Sequence, residues 1–130
     1  MAKQKKFFWV EDEEELIKVY TDALGNNFNI EFVKLTQSAL DKIEEIKQGK
    51  TEKPDLVVLD LLLPDMNGIL VLEELKKSPV TKNIPVFILT NYGEERTQEN
   101  FPEELRIEKY LIKTNWPPTK LVSLIKETLK

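Results

Sequence analysis

Three carboxylates, a hydroxyl and an ammonium stand at the C-terminal ends of four apolar runs in this sequence. Phe7-Phe8-Trp9-Val10 ends in Glu11-Asp12, Leu56-Val57-Val58-Leu59 in Asp60, Val86-Phe87-Ile88-Leu89 in Thr90, and Tyr110-Leu111-Ile112 in Lys113. If the runs are strands of one parallel sheet, the five groups gather along one rim. Three carboxylates brought together repel and raise one another's pKa values. A hard dication relieves that repulsion, and Mg2+ takes one or two carboxylates together with waters and phosphate oxygens. With an ammonium and a hydroxyl donor added, the set suits holding a phosphoryl group. Singly, each group has a plainer explanation. Glu11 to Glu15 would serve as the acidic first turn of a helix, and Asp60 as a turn cap. Thr90 is a common strand residue, and Lys113 alone reads as a solvated amine. Joint placement, in order, is what sets them apart.

The elements that must position these groups follow from apolar spacing. Phe7 to Val10 is a short buried strand. Glu14 to Leu24 carries Leu16, Ile17, Tyr20, Ala23 and Leu24 at helical spacing, and Gly25 is expected to stop it in the left-handed conformation. Phe28 to Val33 alternates apolar and polar residues, as an exposed edge strand does. Thr36 is placed to cap a second helix bearing Ala39, Leu40, Ile43 and Ile46, which stops near Gly49. Asp55 to Asp60 is a strand bracketed by carboxylates, and Ile69 to Lys77 reads as a helix. Ile84 to Thr90 is a strand with Pro85 near its start, where a ladder donor can be spared. Tyr110 to Ile112 is a shorter strand, and Pro118 opens a last helix through Leu121, Val122, Leu124, Ile125 and Leu129. Tyr92 to Glu108 holds only Phe101, Leu105 and Ile107 as large apolar anchors and reads as a short, loosely anchored helix. The alternation predicts an α/β fold, a doubly wound parallel sheet with helices on both faces and its ligand at the carboxyl ends of the strands.

Composition narrows the chemistry. The chain has 130 residues and a net charge of −4, from 23 acidic and 19 basic side chains interleaved along its length. No basic stripe is present, so nucleic-acid binding by this domain alone is not expected. Cysteine and histidine are both absent, which excludes disulfides, thiolate or imidazole metal sites, Ser-His triads and a histidine phosphocarrier. The basic N-terminus leads into only the four-residue run Phe7 to Val10, too short for a signal peptide or for a membrane span of about 20 residues. The expectation is a cytoplasmic protein without membrane contact. No linker or repeat interrupts the chain, so residues 1–130 are expected to form one domain, with no output segment after Lys130.

Four segments together resemble the receiver domains of bacterial two-component response regulators, the stand-alone chemotaxis-regulator type in particular. DLVVLDLLLPDMNG, from Asp55 to Gly68, looks like the family's phosphoacceptor signature, and FFWVEDEEEL is similar to its strand-one acidic pair. IPVFILT resembles the fourth strand, ending in Thr or Ser, and KYLIK the fifth, an aromatic followed by lysine. The resemblance implies a flavodoxin-like, five-stranded parallel sheet of order 2-1-3-4-5. It implies that Asp60 takes a phosphoryl group from a histidine kinase, a phosphotransfer protein or a small phosphodonor, switching protein–protein contacts. Asp12, helped through water by Glu11, would bind Mg2+ with Asp60 and the backbone carbonyl of Leu62. Lys113 would pair with Asp60 or its phosphoryl oxygens, Thr90 would donate to the phosphoryl group, and Tyr110 would change rotamer as Thr90 moves. Pro64 and Gly68 would shape the loop, Gly68 in a conformation costly to other residues. Leu62 and Tyr92 would flank the phosphoryl group and govern access of water. Such a chain catalyses only its own phosphorylation and dephosphorylation and is otherwise no enzyme.

Some positions depart from that pattern. Asn91 stands where the family has a small residue, Thr114 replaces a proline after Lys113, and Arg106-Ile107-Glu108 replaces a Gly-Ala pair before the fifth strand. A cis bond before Thr114 would be costly, so a trans bond is expected. Two enzyme-like alternatives fit poorly. A flavodoxin-like cofactor binder needs a glycine- and hydroxyl-bearing loop after the first strand, where Glu11 to Glu15 would repel a phosphate. An aspartyl phosphatase needs a second acid two residues beyond the nucleophile, where Leu62 stands. The remaining alternative is a receiver-shaped interaction module that is never phosphorylated.

Overall fold

The computed structural model describes residues 4–25, 27–91 and 103–129. Five strands, β1 Lys6–Val10, β2 Asn29–Val33, β3 Leu56–Leu59, β4 Val86–Thr90 and β5 Lys109–Ile112, form one sheet in the order β2-β1-β3-β4-β5. All pairings are parallel. The flavodoxin-like architecture expected from the sequence is therefore observed, with β2 at the edge its alternating pattern suggests. The order reverses between β1 and β3, where open sheets of this kind leave a crevice.

Four helices among the described residues cover the sheet: α1 Glu14–Leu24, α2 Thr36–Lys47, α3 Ile69–Lys76 and α4 Pro118–Thr128. The strands are apolar at nearly every position because each face meets a helical layer. Phe8, Val10, Val57, Leu59 and Ile88 point to one side, packed with Ala39 and Ile43 of α2 and Val71, Leu72 and Leu75 of α3. Phe7, Trp9, Leu56, Val58 and Phe87 point to the other, packed with Tyr20 and Leu24 of α1 and Leu121 and Ile125 of α4. Trp9 anchors that second layer, stacked on Tyr20 at 4.4 Å and Phe32 at 5.4 Å between ring centroids. No helix among the described residues is long and apolar enough to cross a membrane.

Three local expectations change. Gly25 ends α1 in the right-handed region, at φ −61°, with its N–H on Thr21 O, so a hydrogen-bonded turn rather than a left-handed residue closes the helix. The left-handed glycine is Gly49, at φ 75°, just past α2. Thr36 does not cap α2 with its own side chain; its hydroxyl donates to Met66 O at 2.9 Å. The carboxylate of Asp65 caps instead, accepting the N–H groups of Thr36 (2.9 Å) and Gln37 (3.0 Å). Those bonds hold Asp65 low in pKa, that from Gln37 most. Of the stretch read as a loosely anchored helix, Glu103–Leu105 forms a 3-10 turn; Tyr92 to Pro102 lie outside the described residues.

Candidate functional site

Strand register delivers the expected groups to one rim. Val10 lies opposite Leu59 and Val33, and Thr90 opposite Ile112, so Glu11, Asp60, Thr90 and Lys113 fall at neighbouring strand ends. The ladder continues one bond past the strands: Glu11 N–H donates to Val33 O at 2.9 Å, and Asp60 N–H to Val10 O at 3.1 Å. Backbone bonds thus hold both acids on the sheet instead of in a mobile loop.

Asp60 is 4% exposed. Its Oδ1 accepts the N–H of Leu62 at 3.0 Å, and its Oδ2 accepts from Lys113 Nζ at 2.7 Å. Lys113 therefore reaches the acid that the sequence paired it with. It also reaches Glu11, whose Oε2 accepts from Nζ at 3.1 Å and from Glu13 N–H at 3.1 Å. Glu13 Oε1 lies 3.6 Å from the same ammonium. Burial alone would lower the pKa of Lys113, but the hydrogen bond and charge of Asp60, then of Glu11, hold it above the ordinary lysine range. For Glu11 burial dominates and raises the pKa, against the lowering influence of Lys113 and the Glu13 N–H.

One oxygen is left over. Glu11 Oε1 is 3.1 Å from Lys113 Nζ but out of line for a hydrogen bond, and among the described residues it alone is a buried side-chain polar atom lacking one. Oxygens of Glu11, Asp12 and Asp60 lie within 4.8 Å of one another. An all-carboxylate donor set with an unsatisfied oxygen fits a hard divalent cation, as the sequence suggested.

The loop after Asp60 is shaped by close approach. Leu62 pairs with Asn67 in an antiparallel bridge, and Asn67 Oδ1 caps α3 by accepting the N–H of Ile69 at 2.9 Å. Gly68 corrects the sequence reading: its φ is −64°, which any residue adopts. Glycine is needed there because a Cβ would collide with the carbonyl oxygen of Asp60 and stand 3.1 Å from Leu61 Cα. Pro64 is exposed in this loop, and Leu62 is 54% exposed. Thr90 is buried at the end of β4, and Tyr110 is buried in the layer that holds α2 and α3. Asn91 is exposed, and Thr114 follows a trans peptide in the 3-10 turn Lys113–Asn115. Tyr92 lies outside the described residues. Sequence reasoning missed Glu13 as a neighbour of Lys113, and Asp65 as a link between the acceptor loop and α2. Asp65 reads locally as an ordinary turn acid; only its contact across 29 residues shows otherwise.

Comparison with known proteins agrees with this geometry. Residues 7–126 match the family model described as "Response regulator receiver domain". The chain is 35% identical over 94 residues to the alkaline phosphatase synthesis transcriptional regulatory protein PhoP of Bacillus subtilis, covering 70% of this chain and 35% of that one. It spans two-fifths or less of the length of the first curated relatives it matches. Its fold is similar to the phosphorylated cyanobacterial phytochrome response regulator RcpA, with a TM-score of 0.75 and 27% identity over 97% of this chain and 91% of that one. A response regulator crystallised in Mn2+-bound form gives a TM-score of 0.75 and 25% identity, with 95% and 90% covered. Sequence and fold converge: the chain belongs to the response regulator receiver domains of two-component signalling systems.

Proposed function

We propose that Asp60 is the phosphoacceptor of this receiver and that its phosphorylation switches the chain's protein contacts. The carrying observation is the environment of its carboxylate, buried, with one oxygen on the Leu62 N–H and the other on Lys113 Nζ. In the reaction a carboxylate oxygen attacks phosphorus as the bond to the leaving group breaks, giving an acyl phosphate. The donor is a histidine kinase, a phosphotransfer protein or a small phosphodonor, and the chain catalyses no reaction except on itself.

Asp12, Asp60 and the Leu62 carbonyl would hold Mg2+, with Glu11 acting through water. Bound there, Mg2+ would neutralise charge on the carboxylates and the phosphoryl oxygens. Lys113, released as the Asp60 carboxylate loses its charge in the acyl phosphate, would pair with a phosphoryl oxygen. The Thr90 hydroxyl would donate to another, and Tyr110 would turn as Thr90 moves. The phosphorylated and Mn2+-bound relatives support this reading.

Incubation with Mg2+ and a small phosphodonor tests it. Intact mass should show one acid-stable, base-labile phosphoryl adduct, absent from Asp60→Asn while that variant stays folded. An undiminished adduct on Asp60→Asn would remove the assignment. Calorimetry should also record Mg2+-dependent heat; its absence would favour the interaction module.

A further inference from the structure

At the opposite rim, where the strands begin, lies a cleft of about 570 Å³ that the acceptor chemistry does not use. Its walls come from the C-terminal end of α3, the turn into β4 and the segment entering β5. Lys76, Lys82 and Arg106 line it, with Asn83, Pro85 and Ile107. Glu108 is the one carboxylate on its wall, so the cleft carries a local charge opposite in sign to that of the whole chain. The same three cations border a neighbouring cleft of about 330 Å³, which Glu103 and Glu104 also line.

Elsewhere five lysines of the described residues are held in ion pairs. Lys34, Lys42, Lys47, Lys77 and Lys113 each contact a carboxylate. Among the described residues, no carboxylate lies within ion-pair distance of Lys76, Lys82 or Arg106. Lys76 is also half-buried, with Nζ held by the Lys82 carbonyl at 3.0 Å. Burial lowers its pKa first and nearby Arg106 lowers it further, with Glu108 opposing. Holding a partly covered ammonium beside a like charge is unfavourable. Neither the β-ladder nor the apolar layers require it. An anion between the cations would offset that cost, and the guanidinium fork of Arg106 suits phosphate oxygens.

We propose that this cleft is a second ligand site, taking a small organic phosphate whose phosphate meets Lys76, Lys82 and Arg106 and whose apolar body lies along Pro85. The volume is in the range of small-molecule sites, roughly 300–1,000 Å³. The site is separate from the acceptor rim and does not depend on phosphorylation of Asp60.

The test uses the wild-type 15N-labelled chain in EDTA, which keeps divalent cations off the acidic rim. Pyrophosphate, added at constant ionic strength, should move the amide resonances of Lys82, Arg106 and Glu108 along a saturable curve. Arg106→Gln should weaken that binding by about tenfold, the value of one charge-assisted contact, and Lys82→Gln should weaken it independently. Phenyl phosphate should bind more tightly than inorganic phosphate. Non-saturating shifts, shifts confined to the acceptor rim, or unchanged affinity in both variants would overturn the site. Equal binding of phenyl and inorganic phosphate would overturn its organic ligand.

Discussion

At the rim where the strands end, Lys113 faces Asp60, Glu11 and Glu13 within 3.6 Å, and the acids outnumber the base. At the rim where they begin, Lys76, Lys82 and Arg106 share a cleft with Glu108, and no carboxylate of the described residues lies within ion-pair distance of the three cations. The first rim gathers charges that touch, and touching fixes where each atom stands. Asp60 is consequently aimed by two hydrogen bonds before any ligand arrives. The second rim gathers cations that touch no counterion among the described residues, and so remain available to one. Proximity of charge alone says little about a site; the presence or absence of compensation says what is missing from it.

Substitution of Lys113 should break the comparison most sharply. Lys113→Gln leaves Glu11 and Asp60 buried without their cation, and stability in denaturant should fall by about 3 kcal/mol. Added Mg2+ should restore part of the loss, because it replaces the missing positive charge. A variant as stable as wild type would mean that the acidic rim is compensated elsewhere.

Gly68→Ala probes the backbone that aims Asp60. Its Cβ would meet the Asp60 carbonyl, so overpacking should cost about 2 kcal/mol and slow phosphorylation as well. Chemical denaturation and the intact-mass assay read the two effects separately.

Tyr20 reports the acidic rim's field on a neighbouring layer. Burial first, then the charge of Glu11, push its phenol from 10.0 up to about 12. The folded chain thus holds that proton more tightly than the unfolded one. Tyr20 should leave stability flat below pH 10.0 and lower it as pH rises towards 12. In Tyr20→Phe that alkaline decline should flatten, as followed by melting temperature against pH. An unaltered slope would locate the alkaline sensitivity in another group.

Arg106→Gln should have the smallest effect, within about 0.5 kcal/mol of wild type, since an exposed cation with no ion pair among the described residues contributes little. The same denaturant measurement decides it. A loss as large as that of Lys113→Gln would show that the second rim is compensated after all.

Where neighbours in sequence are also neighbours in space, the chain itself is legible. Apolar runs of strand length and apolar spacing of helical period place the strands and α1 to within two residues, because burial of both sheet faces imposes those patterns locally. Since parallel strands end on one side, the same runs put Glu11, Asp12, Asp60, Thr90 and Lys113 on a common rim. Contacts between elements, set by distances of a few ångströms, belong to the tertiary structure alone. It decides that Lys113 bonds Glu11 as well as Asp60, and that Asp65 caps a helix 29 residues away. It also decides that Gly68 is glycine for want of room, and that Arg106 stands beside Lys76 over a cleft. None of these leaves a period or a spacing in the chain. Each arises where two surfaces meet, from steric exclusion and charge at contact range.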